Sequence, residues 1–226
     1  MLKKTILKLT LIIITFSANS KTHEVLVSSN VFSPSSLIIE AGDTVRWRNT
    51  GGTHNVFAND GSFRCANGCD ASGGDGNPSS LAWVAEVTFR QTGIFNYYCQ
   101  PHVSFGMVGS VTVIEPTSVN IHYIQATVGN DFIPADISIQ RGDVVKFSNA
   151  GGEHNIHSLD DNMICSESCE GDGFNTETGA TGSPWEFYYK FATIEEITYQ
   201  CDAHTITGNT GIIRVLTDTI FENGFE

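Results

Sequence analysis

The sequence predicts an all-β chain of two consecutive β-sandwich domains, and three observations carry that prediction. An internal repeat with a period of about 100 residues divides the chain. Within each copy, short segments alternate apolar and polar residues with period two, and no long helical period runs through them. Glycine is abundant, 22 residues against 6 prolines, as a fold of many tight turns requires. The chain of 226 residues, 40% hydrophobic and 10% aromatic, has material for two packed cores of ordinary size.

The chain opens Met1-Leu2-Lys3-Lys4, runs mostly apolar to Phe16 with Lys8 as its one charge, and then reads Ser17-Ala18-Asn19-Ser20. A basic start, a short apolar stretch and small residues form the layout of a secretory signal, here residues 1–20, cleaved after Ser20. The stretch is too short to span a bilayer, and no later segment is long enough. No cysteine follows it, which argues against a lipid-anchored form. Loss of its three lysines takes the net charge from -13 to -16. Export implies a periplasmic or extracellular location, where disulfides persist. With 25 acidic residues against 12 basic ones, a nucleic-acid or anionic-membrane partner is disfavoured and a cationic one favoured.

The stretch from Phe32, FSPSSLIIEAGDTVRWRNTGGTHNVF, aligns with that from Phe132, FIPADISIQRGDVVKFSNAGGEHNIH, at an offset of 100. Cys65 and Cys69 fall on Cys165 and Cys169. Two extra residues in a loop then move the offset to 102, placing Trp83 on Trp185, Phe89 on Phe191, Tyr97 on Tyr199, Cys99 on Cys201 and His102 on His204. Domain 1 is expected at 21–115, domain 2 at 116–217 and a short acidic tail at 218–226, with Glu115-Pro116-Thr117-Ser118 as linker. Strands are expected at Leu37–Ile39, at Val45–Asn49, where Val45 and Trp47 alternate with Arg46 and Arg48, at Val87–Phe89, at Ile94–Tyr98 and at Gly109–Val113. The Gly/Ser/Asn-rich stretch between Cys65 and Trp83 reads mostly as loop.

The residues with chemistry are His54 and the segment Cys99-Gln-Pro-His102-Val-Ser-Phe-Gly-Met107. A thiolate, two imidazoles and a thioether are soft to intermediate donors. Two His and one Cys with a weak axial Met make a blue-copper electron-transfer site. One histidine comes from a distant strand end, so the fold positions it. The other three donors come from one tight loop, so its backbone sets their geometry. The second copy has His154, Cys201 and His204, but Asn209 stands where the first has Met107. An amide oxygen can serve as a weak axial ligand; three-coordinate copper or a bound water are the alternatives. His157 is read from strand alternation as a surface histidine.

Three separated segments then agree with one family. The turn Gly42-Asp43-x-Val45-x-Trp47-x-Asn49, the strand Gly51-Gly52-x-His54-Asn55 and the loop Cys99-x2-His102-x4-Met107 resemble plastocyanin/azurin-type cupredoxin domains, here in tandem over nearly all of residues 21–217. The resemblance implies Greek-key sandwiches and one copper per domain, held by His54, Cys99, His102 and Met107 in domain 1 and by His154, Cys201 and His204 in domain 2. It also implies that Asn55 and Asn155 pin the ligand loop near the cysteine. The implied role is that of an electron carrier, not an enzyme, whose redox partner presents a basic patch, as a cytochrome can. Copper storage or resistance without a redox partner is the alternative. A copper oxidase or nitrite reductase needs a second copper centre, usually marked by His-x-His pairs, and the sequence has none.

Cys65 and Cys69, like Cys165 and Cys169, are four positions apart. In an exported chain this reads as a local disulfide in each copy; a separate thiolate metal site lacks further ligands nearby. Cys99 and Cys201 then remain as free thiols. Asp70, Asp75 and Asp172 lie in Gly-rich loops whose ligand spacing fits calcium poorly, so solvated turns are expected there.

Overall fold

Alternation along the strand after the Gly-Asp turn shows how each sandwich is built. Asp43, Val45, Trp47 and Asn49 are buried, and Thr44, Arg46 and Arg48 lie on the other face, where Arg46 meets Glu86 at 2.5 Å and Arg48 meets Glu24 at 2.7 Å. The structure, a computed structural model, describes residues 20–176, 178–205 and 209–217. The expected leader, apart from Ser20, and the 218–226 tail lie outside the described residues.

Domain 1 contains β1 (Thr22–Ser28), β2 (Val31–Ser33), β3 (Ser36–Glu40), β4 (Asp43–Asn49), β5 (Val56–Ala58), β6 (Arg64–Ala66), β7 (Gly68–Cys69), β8 (Val84–Phe89), β9 (Gly93–Tyr98) and β10 (Val108–Ile114). They form two sheets, ordered β2-β1-β4-β8 and β3-β10-β9-β5-β6-β7. Domain 2 repeats the plan with β11 (Ile121–Ala126), β12 (Phe132–Ile133), β13 (Asp136–Gln140), β14 (Val144–Asn149), β15 (Ile156–Ser158), β16 (Ile164–Cys165), β17 (Glu186–Lys190), β18 (Glu196–Gln200) and β19 (Thr210–Leu216). Its sheets run β12-β11-β14-β17 and β13-β19-β18-β15-β16. In both domains the first strand pairs in parallel with the strand after the Gly-Asp turn. The two sheets of each domain therefore face each other across the side chains that alternate inward.

Aromatic rings fill that space. Trp47 lies 5.8 Å from Phe63, 6.4 Å from Phe89 and 5.4 Å from Tyr97. In domain 2 Phe147 takes the place of Trp47, stacking on Phe187 at 5.0 Å and meeting Tyr199 at 6.0 Å. Each such buried ring contributes roughly 2–3 kcal/mol. The Gly-rich excursion after Cys65 is mostly loop, with one 3-10 turn at Asp70–Ser72. Disulfides Cys65–Cys69 and Cys165–Cys169 close the two loops, and Cys99 and Cys201 are free and buried.

The two domains are packed together, and one expectation about the loops is corrected there. Asp70 is paired with Arg64 and Asp75 is exposed, but Asp172 is buried, not a solvated turn residue. Its Oδ2 accepts from Arg90 Nε of domain 1 at 2.7 Å, and its carbonyl accepts from Thr88 N–H at 3.0 Å. The Arg90 guanidinium also lies 4.4 Å from the centre of the Tyr189 ring. Next to it Phe174 inserts among Phe63, Phe89 and Phe95 at 5.6, 5.4 and 5.8 Å. Gln91 Nε2 donates to Glu167 O, and Asn175 N–H donates to Ser62 O. A charged residue in a Gly-rich loop is buried here because the other domain supplies its counter-ion, and that neighbour cannot be read from local sequence.

Removing one partner of that ion pair leaves a buried charge behind, which is worse than having neither. Asp172→Ala is expected to destabilise the chain by about 3 kcal/mol, read as a lowered denaturant midpoint in equilibrium unfolding. An unchanged midpoint would show that the pair is solvated.

Candidate metal centres

Each centre begins with an asparagine that shapes a glycine loop. Asn49 ends β4, and its Nδ2 donates to Gly52 O, Ser79 O and Leu81 O at 3.1, 3.3 and 2.8 Å, while Gly51 N–H donates back to its Oδ1. Asn149 does the same with Gly152, Thr181 and Ser183. The loop then delivers His54, whose backbone pairs with Ser79, and His154, which pairs with Thr181. Gly52 has φ +89°, and a Cβ built on it would stand 2.5 Å from His54 Nε2; Gly152 repeats this with φ +96° and 2.8 Å. Glycine is required here both for its backbone conformation and for the space the imidazole occupies.

The cysteine arrives from the facing sheet. After β9, Cys99 leads into a 3-10 helix, Gln100–Phe105, which ends at Gly106 with φ +81°. His102 N–H donates to Cys99 O at 3.0 Å, Met107 N–H donates to His102 O at 3.2 Å, and Cys99 N–H donates to Met107 O at 3.1 Å. The loop is thus closed on itself before any ligand is considered. In domain 2 His204 N–H donates to Cys201 O and Cys201 N–H donates to Asn209 O, both at 3.1 Å. Met107 and Asn209 therefore start from the same backbone station, and both are buried.

These elements converge on two clusters, His54–Cys99–His102 and His154–Cys201–His204, whose possible ligand atoms lie within 4.8 Å of one another. Cys99 Sγ is 3.6 Å from His54 Nδ1 and 3.4 Å from His102 Nδ1. Cys201 Sγ is 3.4 Å from His204 Nδ1. The histidine ring centres stand 4.7 and 4.9 Å apart in the two clusters. His54, Cys99, His154 and Cys201 are fully buried, and His102 and His204 reach partway to solvent. Burial, and then the facing His102, hold His54 below the usual imidazole pKa. Burial, and then His204, do the same to His154. Burial raises the Cys99 thiol. A cation entering such a cluster meets a buried imidazole whose charged form is disfavoured, His54 or His154, and displaces a thiol proton, the condition for binding a borderline or soft metal.

The expected pinning by Asn55 and Asn155 is present. Asn55 Oδ1 accepts from Gln100 N–H at 2.9 Å, and its Nδ2 donates to Gln100 Oε1 at 2.7 Å and Gly76 O at 3.0 Å. Asn155 makes the corresponding pair with Asp202, at 2.9 Å to the backbone and 2.7 Å to the carboxylate. Sequence reading missed Gln100 and Asp202, although their position directly after each cysteine was a signal. It also missed Thr127, whose carbonyl lies 3.0 Å from His154 Nε2 and orients that ring with Nδ1 toward the cluster. His157 stands outside the cluster, half-buried between Asp202 at 2.8 Å and Asp161 at 2.7 Å.

The model of copper binding proteins of the plastocyanin/azurin family matches residues 21–114 and again 124–216. The chain belongs to this family. Plastocyanin from Scenedesmus fuscus is 32% identical over 84 residues, which are 37% of this chain and 86% of that protein. Chloroplastic plastocyanin from Tetradesmus obliquus is 33% identical over 84 residues, and the chain spans 58% of its length. Among solved structures, pseudoazurin from Methylobacterium extorquens AM1 shares 24% identity, covering 43% of this chain and 78% of that one, with a TM-score of 0.32. The two family matches coincide with the two sandwiches, and each contains one His–Cys–His cluster.

Gly52→Ala is expected to weaken copper binding in domain 1 at least tenfold, because the added methyl displaces the His54 ring. Gly42→Ala carries similar backbone strain, at φ +98°, but meets nothing within 4 Å and should leave copper binding unchanged. Competitive copper titration of both variants separates steric displacement from strain. His157 lies outside the domain 2 cluster and bonds Asp161 and Asp202. Burial lowers its pKa, but hydrogen bonds to Asp161 and Asp202 outweigh this and raise it above 6.5. The stabilisation is therefore complete below pH 6.5 and is lost as pH rises through the raised folded value. Relative to wild type, His157→Gln should lose up to about 1 kcal/mol at low pH and nothing at high pH, as measured by denaturant unfolding across the range.

Proposed function

We propose that the chain is an exported type 1 copper protein that carries single electrons between redox partners and is not itself an enzyme. Copper would be held by His54, Cys99, His102 and Met107 in domain 1 (21–115) and by His154, Cys201 and His204 in domain 2 (116–217). The observation that carries this reading is the duplicated His–Cys–His cluster, buried at the same place in both family-matched sandwiches. Bound copper supplies a one-electron couple between Cu(I) and Cu(II).

The chain's own residues prepare for that couple. Asn49, Asn55 and the Cys99–Met107 turn hold the donors through backbone hydrogen bonds, so a change of charge at the centre need not move the ligands. Burial of His54 and Cys99 keeps water from reorganising around them. Half-exposed His102 offers the edge through which an electron enters or leaves. The acidic excess, net charge -13, supports docking to a basic patch such as a cytochrome presents. No helix among the described residues is long and apolar enough to cross a membrane. The leader expected from the sequence of residues 1–20, with a disulfide in each domain, supports a periplasmic or extracellular site of action.

Copper-loaded full-length protein is expected to show an intense visible thiolate-to-Cu(II) absorption. Cys99→Ser should remove about half of the bound copper and the whole domain 1 contribution to that band. A protein that stays colourless and copper-free in copper-replete medium would overturn the reading.

A further inference from the structure

The two clusters differ in what stands behind them. Met107 and Asn209 occupy the same backbone position, each carbonyl accepting from its cysteine N–H at 3.1 Å, and both side chains are buried. Asn209 Nδ2 lies 3.4 Å from His154 Nδ1, the imidazole nitrogen on the cluster side. Asn209 Oδ1 is buried without a hydrogen-bond partner. A buried amide oxygen left unpaired is costly, and such groups are commonly satisfied by an ion or a water. A half-turn of the amide exchanges its oxygen and nitrogen at nearly constant volume. That turn would bring the oxygen beside His154 Nδ1.

We propose that Asn209 supplies this amide oxygen as the weak fourth donor of domain 2 where Met107 supplies a thioether in domain 1, so that the two centres are unequal and domain 1 is reduced first. The inference rests on the copper reading above. A thioether is soft and favours Cu(I); an amide oxygen is harder and favours Cu(II), and the axial donor tunes the potential of such a centre. A one-electron donor, itself oxidised in the transfer, would reduce copper held in domain 1 while copper held in domain 2 stayed oxidised. One chain would then hold two couples of different strength, which a single-domain carrier cannot do.

Cys201→Ser and Cys99→Ser each leave one intact centre in the full chain, so the two can be measured separately by spectroelectrochemistry and EPR after loading with copper. The equilibrium constant for reduction is expected to be at least tenfold smaller for the domain 2 centre, about 59 mV for a one-electron couple. In the Cys99→Ser background, Asn209→Met should raise the potential toward that of domain 1 and shift the visible and EPR spectra toward its signature. Asn209→Leu, which removes the oxygen, should also raise the potential and change the EPR parameters. Equal potentials for the two centres, or an Asn209→Leu spectrum and potential identical to the parent, would overturn the inference while leaving copper binding intact. A folded Cys99→Ser chain that binds no copper would overturn copper binding in domain 2 and this inference with it.

Discussion

Each sandwich confines a thiol and two imidazoles in one small, largely buried space, with possible donor atoms no more than 4.8 Å apart. Two protonated imidazoles at that distance would repel, and burial removes the water that would screen them. The pocket therefore disfavours charge on its buried imidazoles, and the lowered pKa of His54 and His154 expresses this. Without support, such a cluster would relieve its crowding by moving apart. It is kept together by hydrogen bonds between loop backbone and the side-chain amides of Asn49 and Asn55 in one domain and Asn149 and Asn155 in the other. Both networks reach the same loops through different side chains, Gln100 in one domain and Asp202 in the other. The arrangement thus depends on loop backbone held in place, and the neighbouring side chains can vary around it.

The same repeat that duplicates the centre is broken where the domains meet. Glu86 and Thr88 on the outer face of domain 1 correspond to Tyr188 and Lys190 in domain 2, and Thr44 corresponds to Val144. Val144 and Tyr188 are buried with the domain 1 core, whereas the equivalent face of domain 1 carries the Arg46–Glu86 and Arg48–Glu24 pairs. The Gly-rich loop closed by Cys165–Cys169 sends Asp172 and Phe174 into the first domain, where the first copy has Ser72 and Gly74. Two copies of one domain become a single packed unit through these differences.

Much of this was legible in residues. Alternation at Val45 and Trp47 and the Gly-Asp turn marked the strand before the glycine loop, because a strand with one buried face must write that face at every second position. His54, Cys99 and His102 were legible because donor chemistry restricts residue types severely, and the repeat showed the same types at His154, Cys201 and His204. The burial of Asp172 was not legible. Its partner Arg90 lies 82 positions away, in the other domain, and a Gly-rich acidic loop looks alike whether water or an arginine faces it.

Residue types and their spacing already carry the number of sandwiches, the strands that bring the candidate donors and the identity of those candidates, since periodicity and ligand chemistry are local properties. Packing sets which groups surround them: Thr127 orients His154, Asn209 rests against it with an unpaired oxygen, and Arg90 neutralises Asp172. Contacts across sheets and domains depend on distances that packing sets, and no local pattern along the chain carries them.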